Sequence, residues 1–242
     1  GDIGLLLREH HKRLGLLNIQ RKDDNTPVSN ADLEACQAVS KLLATLKEKI
    51  PILSEEQPVP WSEREGWSRY WCVDPLDGTK EFIKVCGDGA FTVNIGLIKN
   101  AEPVMGIVFA PALDRLFFGS LGNGAFEISG GICRQICVRM PPAEGPVAVA
   151  SASHRDAQTN QWLEKRGVTN SIAIGSSLKF CLIAAGEADL YPRYGPTMEW
   201  DTAAGDAVLR AAGGRVTAED GKPFFYGKAG YRNQPFFAAG GD

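Results

Sequence analysis

The chain of 242 residues has 44% hydrophobic, 9% aromatic and 23% charged residues, a composition that argues against a disordered, fibrous or repeat protein. Its 26 lysine and arginine residues against 29 acidic residues give a formal net charge of −3. That charge disfavours a broad basic surface for nucleic acid or anionic membranes, although it leaves room for a local basic pocket.

The length suits one large domain or two fused halves. The six cysteines show neither a Cys-x-x-Cys pair nor the close spacing of a small disulfide-rich domain, which predicts free thiols in a reducing compartment. No signal sequence opens the chain, and no run approaches the roughly 18 apolar residues of a membrane-spanning helix. We therefore expect a cytoplasmic protein, at most peripherally associated with the inner membrane; its oligomeric state is left open.

The first part of the chain predicts one long helix followed by antiparallel strands. Apolar residues recur at helical spacing from Ser29 to Ile50, with Ser29 or Asn30 as N-cap and Pro51 just past the end. Short runs of β-forming residues separated by turns then predict a meander. Its strands are Tyr70–Val73, Phe91–Ile98, Pro103–Phe109, Arg115–Phe118 and Gly124–Ile128.

After Met140-Pro141-Pro142 the pattern changes to alternating strands and helices. The predicted strands are Val147–Ala150, Ser171–Ile174, Asp189–Tyr191 and Arg215–Thr217, and the predicted helices are Gln158–Arg166, Ser177–Ala185 and Thr202–Ala212. We therefore divide the chain into an N-terminal α+β half, residues 1–140, and a C-terminal α/β half, residues 141–242.

The strongest chemical signal is the segment Asp74–Thr79, with the sequence Asp-Pro-Leu-Asp-Gly-Thr, directly after a predicted strand. Two carboxylates three residues apart on a tight turn can converge on one point, while Gly78 lets a ligand approach the backbone. Carboxylates and a backbone carbonyl are the hard oxygen ligands that Mg²⁺ prefers. The alternative is a β-turn in which Asp77 and Gly78 supply only turn chemistry.

Two further acidic segments can add to this pair. Glu55 and Glu56 follow the predicted strand end at Ile52-Leu53, and Asp201 stands where the last predicted helix begins. Taken singly, the glutamates would be solvated loop residues, and Asp201 would be a helix N-terminal residue favoured by the dipole.

Four segments together resemble the inositol monophosphatase-like superfamily of metal-dependent phosphatases, and within it the bacterial 3'(2'),5'-bisphosphate nucleotidases of the CysQ type. These segments are Thr26–Asp32, Ser54–Glu56, Asp74–Phe82 and Trp200–Asp206. The continuation Lys80-Glu81-Phe82 favours the nucleotidase branch. The resemblance implies an α+β and α/β fold, the layered αβαβα sandwich of the sugar phosphatases, with the metals in the cleft between its two halves.

The resemblance also implies a ligand set for two to three Mg²⁺ ions and Li⁺ as an inhibitor. The implied metal ligands are Glu55, Asp74, Asp77, Asp201 and the carbonyl of Leu76. The chemistry agrees, because a phosphomonoester dianion repels hydroxide and its hydrolysis at neutral pH needs cations that acidify a water and stabilise the leaving alkoxide. Four carboxylates would also repel one another without such cations.

In the family, a threonine and an aspartate at the positions of Thr79 and Asp32 orient the nucleophilic water. The residue at the position of Glu55 contacts the metal that binds this water. A hydroxyl relayed to a carboxylate base is sound general-base chemistry. Ser29-x-x-Asp32 is at the same time a capping box, which needs no catalytic role. Both roles can coexist.

Substrate contacts are expected at Gly78, Thr79, Lys80, His154, Ser176, Ser177, Lys179, Arg193 and Asp201. The turn before the helix at Ser177 offers N–H groups, hydroxyls and a lysine for a second phosphate, although a plain serine N-cap with a solvated Lys179 is the alternative. Arg193 would otherwise be a surface arginine, and His154 a solvated loop histidine.

The resemblance implies Mg²⁺-dependent removal of the 3'-phosphate of adenosine 3',5'-bisphosphate, with 3'-phosphoadenylyl sulfate as a second substrate. The partner is then a small nucleotide and not a nucleic acid polymer. Two alternatives remain. One is an inositol-1-phosphate or sugar-bisphosphate phosphatase with the same metals, and the other is a non-catalytic nucleotide- or metal-binding regulator.

Overall fold

The computed structural model describes residues 2–12, 19–21, 27–84, 89–151 and 156–241. Its helices are α1 Asp2–Lys12, α2 Asn30–Ala44, α3 Trp61–Arg64, α4 Thr79–Phe82, α5 Ala157–Lys165, α6 Leu178–Ala184 and α7 Glu199–Ala211. Its strands are β1 Ile19–Arg21, β2 Pro27–Ser29, β3 Ile52–Ser54, β4 Arg69–Asp77, β5 Thr92–Lys99, β6 Glu102–Ala110, β7 Arg115–Ser120, β8 Gly124–Ser129, β9 Ile132–Ile136, β10 Val147–Ser151, β11 Asn170–Ile174, β12 Leu190–Arg193, β13 Arg215–Ala218 and β14 Phe236–Ala239.

Two sheets organise these elements. The seven-stranded sheet has the order β3-β4-β5-β6-β7-β8-β9, with β3 parallel to β4 and the rest antiparallel. The five-stranded sheet has the order β11-β10-β12-β14-β13, in which β14 runs antiparallel to both of its neighbours. Residues 137–146, which include the Pro-Pro segment, connect the two sheets.

The elements stack as five layers. Helices α1 and α2 bury Leu7, Ala35 and Val39 against the outer face of the seven-stranded sheet. Between the sheets, α6 and α7 share one core with both, through residues such as Phe180 and Val208. Helix α5 covers the far face of the five-stranded sheet. The expected αβαβα sandwich is therefore confirmed.

The long helix predicted from Ser29 to Ile50 corresponds to α2, which is shorter than predicted because it ends at Ala44. The Lys49 side chain turns back and donates to the Ala44 carbonyl oxygen at 2.5 Å. Apolar spacing misled here, since Leu42 and Leu46 are largely exposed and the packed face runs through small residues.

Seven elements were not predicted, namely α1, α3, α4, β1, β2, β9 and β14. Strand β9 lies at a sheet edge and is mostly exposed, so it lacks the alternation of a half-buried strand. Strand β14 follows a long irregular segment. Helix α1 lies before the first of the four segments that carry the family resemblance. The last helix begins at Glu199, earlier than the predicted Thr202, which makes Asp201 its third residue.

Among the described residues, no helix is long and apolar enough to cross a membrane. The described cysteines are all free thiols, and Cys86 lies outside the described residues.

Candidate active site

A cleft of about 570 Å³ opens between the two sheets. The expected site residues that line it are Glu55, Asp74, Leu76, Asp77, Gly78, Thr79, Lys80, Ser176, Ser177, Lys179, Arg193 and Asp201. Asp32 lies behind the wall of this cleft, hydrogen-bonded to Thr79. His154 lies outside the described residues. A second groove, on the outer face of the five-stranded sheet, is lined by none of the expected site residues.

The segment Asp74–Thr79 reaches the cleft through an irregularity at the end of β4. Pairing with β5 is regular up to Asp74 opposite Asn94 and resumes at Asp77 opposite Thr92. Pro75 has no N–H to donate to a ladder, so the strand bulges there. The Leu76 N–H then donates to Asp74 Oδ1 at 3.0 Å, which fixes the turn.

Three of the four expected carboxylates meet in this cleft. One oxygen from each of Glu55, Asp74 and Asp201 lies within 4.8 Å of the other two. Glu55 follows β3, and its N–H donates to the Val73 carbonyl of the parallel strand β4 at 3.1 Å. Asp201 enters from α7, where its Oδ2 accepts the Met198 N–H at 2.8 Å. Asp201 is therefore both a helix cap and a member of this cluster.

The electrostatics of the cluster suit a cation. Burial, followed by the charges of Glu55, Asp77 and Asp201, raises the pKa of Asp74 well above its usual range. Burial and the charges of Asp77 and Glu55 do the same to the pKa of Asp201. Converging, buried carboxylates that repel one another are the donor set of a hard divalent cation such as Mg²⁺.

Asp77 lies in the same cleft but outside this set of three. Its Oδ2 accepts the Ser177 N–H at 2.5 Å and the Asn94 Nδ2–H at 3.4 Å. Burial raises the pKa of Asp77, while the nearby Lys179 charge and the Ser177 N–H oppose that rise. Because Ser177 is the N-cap of α6, this contact joins the end of β4 to the helix layer between the two sheets.

The structure joins Thr79 to Asp32 by a hydrogen bond, and it shows the capping contacts of Asp32 at the same time. The Thr79 hydroxyl donates to Asp32 Oδ1 at 3.1 Å. The other oxygen, Oδ2, accepts the Ser29 N–H and the Ser29 hydroxyl, each at 2.7 Å. The helix cap thus holds the carboxylate still while Oδ1 faces Thr79.

Two cations on the opposite wall are anchored and not freely solvated. Lys179 is 4% exposed, and its Nζ donates to the Ser176 carbonyl at 2.5 Å. Burial lowers the pKa of Lys179 to about 8, although the nearby Asp77 charge opposes the change. The Arg193 guanidinium donates to the carbonyls of Gly195 and Pro196 at 3.1 and 3.0 Å. The surface-arginine alternative for Arg193 is therefore wrong.

Sequence reasoning missed Asn94, which has contacts to two expected site residues. The Ser177 hydroxyl donates to Asn94 Oδ1 at 2.6 Å, and Asn94 is fully buried within β5. The available signal was an asparagine at an inward-facing position of an otherwise apolar strand, which needs a buried partner.

Nearly the whole chain is similar to members of one protein family. The model of the inositol monophosphatase family matches residues 2–236. The 3'(2'),5'-bisphosphate nucleotidase CysQ of Escherichia coli K12 is 48% identical over 210 residues, which cover 87% of this chain and 83% of that protein. The CysQ nucleotidase of Buchnera aphidicola is 41% identical over 226 residues, covering 92% and 84%. The crystal structure of CysQ from Bacteroides thetaiotaomicron has a TM-score of 0.84 at 37% identity and covers 98% of this chain and 93% of its own.

Proposed function

This chain belongs to the inositol monophosphatase family, and we propose that it is a Mg²⁺-dependent 3'(2'),5'-bisphosphate nucleotidase. The proposed reaction converts adenosine 3',5'-bisphosphate and water to AMP and phosphate. The observation that carries the proposal is the convergence of Glu55, Asp74 and Asp201 in the cleft that also contains Thr79. The identity of 48% to a CysQ nucleotidase supports this branch of the family.

The donor set fits Mg²⁺, and Glu55, Asp74 and Asp201 would hold it. Asp77 and the Leu76 carbonyl would complete the ligands for a second or third ion. When bound, Mg²⁺ would neutralise phosphate charge, acidify a water and stabilise the leaving oxygen. Li⁺ is the expected inhibitor of such a site.

Thr79 and Asp32 would orient the attacking water. Because the Thr79 hydroxyl donates to Asp32 Oδ1, the lone pairs of Thr79 Oγ1 stay available to accept a hydrogen bond from that water. A proton leaving the water can pass through the hydroxyl to Asp32. Glu55 would act on the water from the carboxylate cluster.

Lys179 and Arg193 would hold the remaining phosphate, with the backbone at Ser176 and Ser177. Gly78, Lys80 and the first turn of α7 at Asp201 complete the proposed contacts. In the reaction the water oxygen forms a bond to phosphorus, the P–O3' ester bond breaks, and the 3'-oxygen leaves and takes up a proton. The same wall suits 3'-phosphoadenylyl sulfate, the second proposed substrate.

A substrate panel with a Mg²⁺ titration and a Li⁺ challenge tests this proposal. We expect kcat/KM for adenosine 3',5'-bisphosphate to exceed that for inositol 1-phosphate at least about 100-fold, a difference of roughly 2.7 kcal/mol in transition-state stabilisation. A preference for inositol 1-phosphate would instead identify a sugar or inositol phosphatase. Tight nucleotide binding without turnover at saturating Mg²⁺ would identify a non-catalytic regulator.

A further inference from the structure

One irregular segment contacts the elements that carry two of the three clustered carboxylates. Residues 226–233, which we call the strap, lie within the connection from β13 to β14. They belong to none of the motifs described in the sequence analysis. Both of its sides are hydrogen-bonded, one to the first turn of α7 and the other to the segment after Glu55.

On the α7 side, the strap fixes the residues that precede Asp201. The Tyr231 carbonyl accepts the Glu199 N–H at 2.9 Å, and the Asn233 side-chain amide donates to the Met198 carbonyl at 2.7 Å. Lys228 adds an ion pair at 2.7 Å to Glu199, which is fully buried. The helix turn that presents Asp201 is therefore held from outside the helix.

On the other side, the strap holds the segment that follows Glu55. The Tyr231 hydroxyl donates to the Val59 carbonyl at 2.7 Å. The Arg64 side chain is 4% exposed. It donates to the same Val59 carbonyl at 3.0 Å and to the carbonyl of Ala229 in the strap at 2.8 Å. Its guanidinium also lies over the Tyr231 ring, 4.5 Å from the centroid.

Tyr231 is thus bonded at both ends, through its hydroxyl to the Glu55 side and through its carbonyl to the Asp201 side. Glu55 and Asp201 belong to different layers of the fold, and their like charges favour separation when no cation lies between them. A clamp across the two sides lowers the cost of bringing the carboxylates together, which is preorganisation of a binding site.

We propose that Tyr231 is a positioning residue for the metal site, which it serves by holding the Glu55 segment and the first turn of α7 at a fixed separation. The proposal rests on the proposed role of Glu55 and Asp201 as metal ligands. Tyr231 would not itself bind the ion, so its loss would lower affinity for the ion while leaving the chemical step intact once the site is filled.

The test compares two tyrosine-to-phenylalanine variants within the strap. Tyr231→Phe removes the bond to Val59. Tyr226→Phe is the matched control, because the Tyr226 hydroxyl donates to Asp206 Oδ2 at 2.9 Å and lies 3.3 Å from Thr202 Oγ1, both on α7, and among the described residues it has no bond to the Glu55 side. Mn²⁺ binding to the metal-free protein is measured by the electron paramagnetic resonance of free Mn²⁺, together with Tm and the Mg²⁺ dependence of phosphate release.

For Tyr231→Phe we expect the Kd for Mn²⁺ and the Mg²⁺ concentration at half-maximal activity to rise together, about three- to tenfold, as one net hydrogen bond permits. At saturating Mg²⁺ its kcat should stay within about twofold of wild type. Tyr226→Phe should lower Tm at least as much while its Kd for Mn²⁺ stays within about twofold.

An unchanged Kd in Tyr231→Phe, or an equal weakening in Tyr226→Phe, would overturn the positioning role. Failure of the wild-type protein to bind Mn²⁺ would instead contradict the proposed metal site itself. The two failures are distinguished because the first needs a wild-type protein that binds the ion.

Discussion

Asp32 and Thr79 show how a single residue pair can serve both the fold and the chemistry. Asp32 divides its two oxygens, since Oδ2 caps α2 through Ser29 and Oδ1 accepts the Thr79 hydroxyl. A substitution at Asp32 therefore disturbs both functions at once. Thr79 is the cleaner position to change, because its hydroxyl contacts Asp32 Oδ1 and not Oδ2, the oxygen that accepts the bonds of the cap.

We expect Thr79→Val to lower kcat about 10²- to 10³-fold, because an isosteric side chain without a hydroxyl can neither orient the water nor pass on its proton. Thr79→Ser keeps the hydroxyl and should retain kcat within about tenfold. Phosphate release at saturating Mg²⁺ measures both variants, with Tm as the control for folding. A Thr79→Val protein whose kcat stays within about tenfold of wild type would contradict the hydroxyl relay.

At the scale of residues, the sequence predicts most of the side chains that line the cleft, but it does not predict their hydrogen-bond partners. Asp74 and Asp77 stand out because two carboxylates three residues apart on a Pro- and Gly-containing turn can converge on one point. The separation of Asp77 from the other three could not be foreseen, since it depends on the Ser177 N–H, 100 positions later in the chain. Asn94 likewise has a distant partner, because the Ser177 hydroxyl that donates to it lies 83 positions later in the chain.

At the scale of elements, three glycines determine how closely α7 approaches the seven-stranded sheet. Gly96, Gly106 and Gly119 lie opposite one another on β5, β6 and β7. A Cβ on Gly106 would lie 2.1 Å from the backbone oxygen of Ala204 in α7. The glycines therefore form a flat strip on which the helix that carries Asp201 rests.

We expect Gly106→Ala to lower the free energy of unfolding by about 1–3 kcal/mol, the usual cost of overpacking a core. It should also weaken Mn²⁺ binding, because a displaced α7 carries Asp201 away from Asp74. Urea unfolding and Mn²⁺ titration provide the measurements. Gly66→Ala is the control, since its Cβ would meet nothing within 4 Å. A Gly106→Ala protein as stable as this control would contradict the close seating of α7.

Element types were more predictable than element ends. Most strands of the meander, the three helices of the C-terminal half and four of its five strands follow from hydrophobic periodicity and turn residues. Edge strand β9 escaped because its side chains face solvent, and the end of α2 was misplaced because apolar residues continue past the packed face. The strap leaves no periodic signal in the sequence, since it forms no helix or strand.

At the scale of the whole molecule, the net charge of −3 hides a local concentration of negative charge between two layers of the sandwich. Glu55 and Asp74 come from the seven-stranded sheet and Asp201 from the helix layer beneath it. In the metal-free protein these carboxylates therefore repel one another where the layers meet. This repulsion lowers the stability of the fold, as is common at functional sites.

The sign of the resulting pH dependence follows from the raised pKa values of Asp74 and Asp201. Above the unfolded value near 3.8, the folded metal-free protein holds more protons than the unfolded chain, so its stability falls as pH rises through the window up to the raised folded values. Bound Mg²⁺ removes that penalty, because the carboxylates are then charged and paired.

We therefore expect the difference in Tm between the Mg²⁺-bound and metal-free protein to widen as pH is raised from about 5 to 8. At Mg²⁺ about 100-fold above its Kd the stabilisation should approach roughly 2.7 kcal/mol, or about 5–10 °C in a chain of this size. Thermal unfolding with Mg²⁺ and with EDTA measures it across that range. Asp201→Asn should raise the metal-free Tm at pH 8 and lose most of the Mg²⁺ response, because the amide removes both the repulsion and a ligand. A Mg²⁺ shift that is independent of pH in the wild-type protein would show that protons and the ion do not compete for these carboxylates.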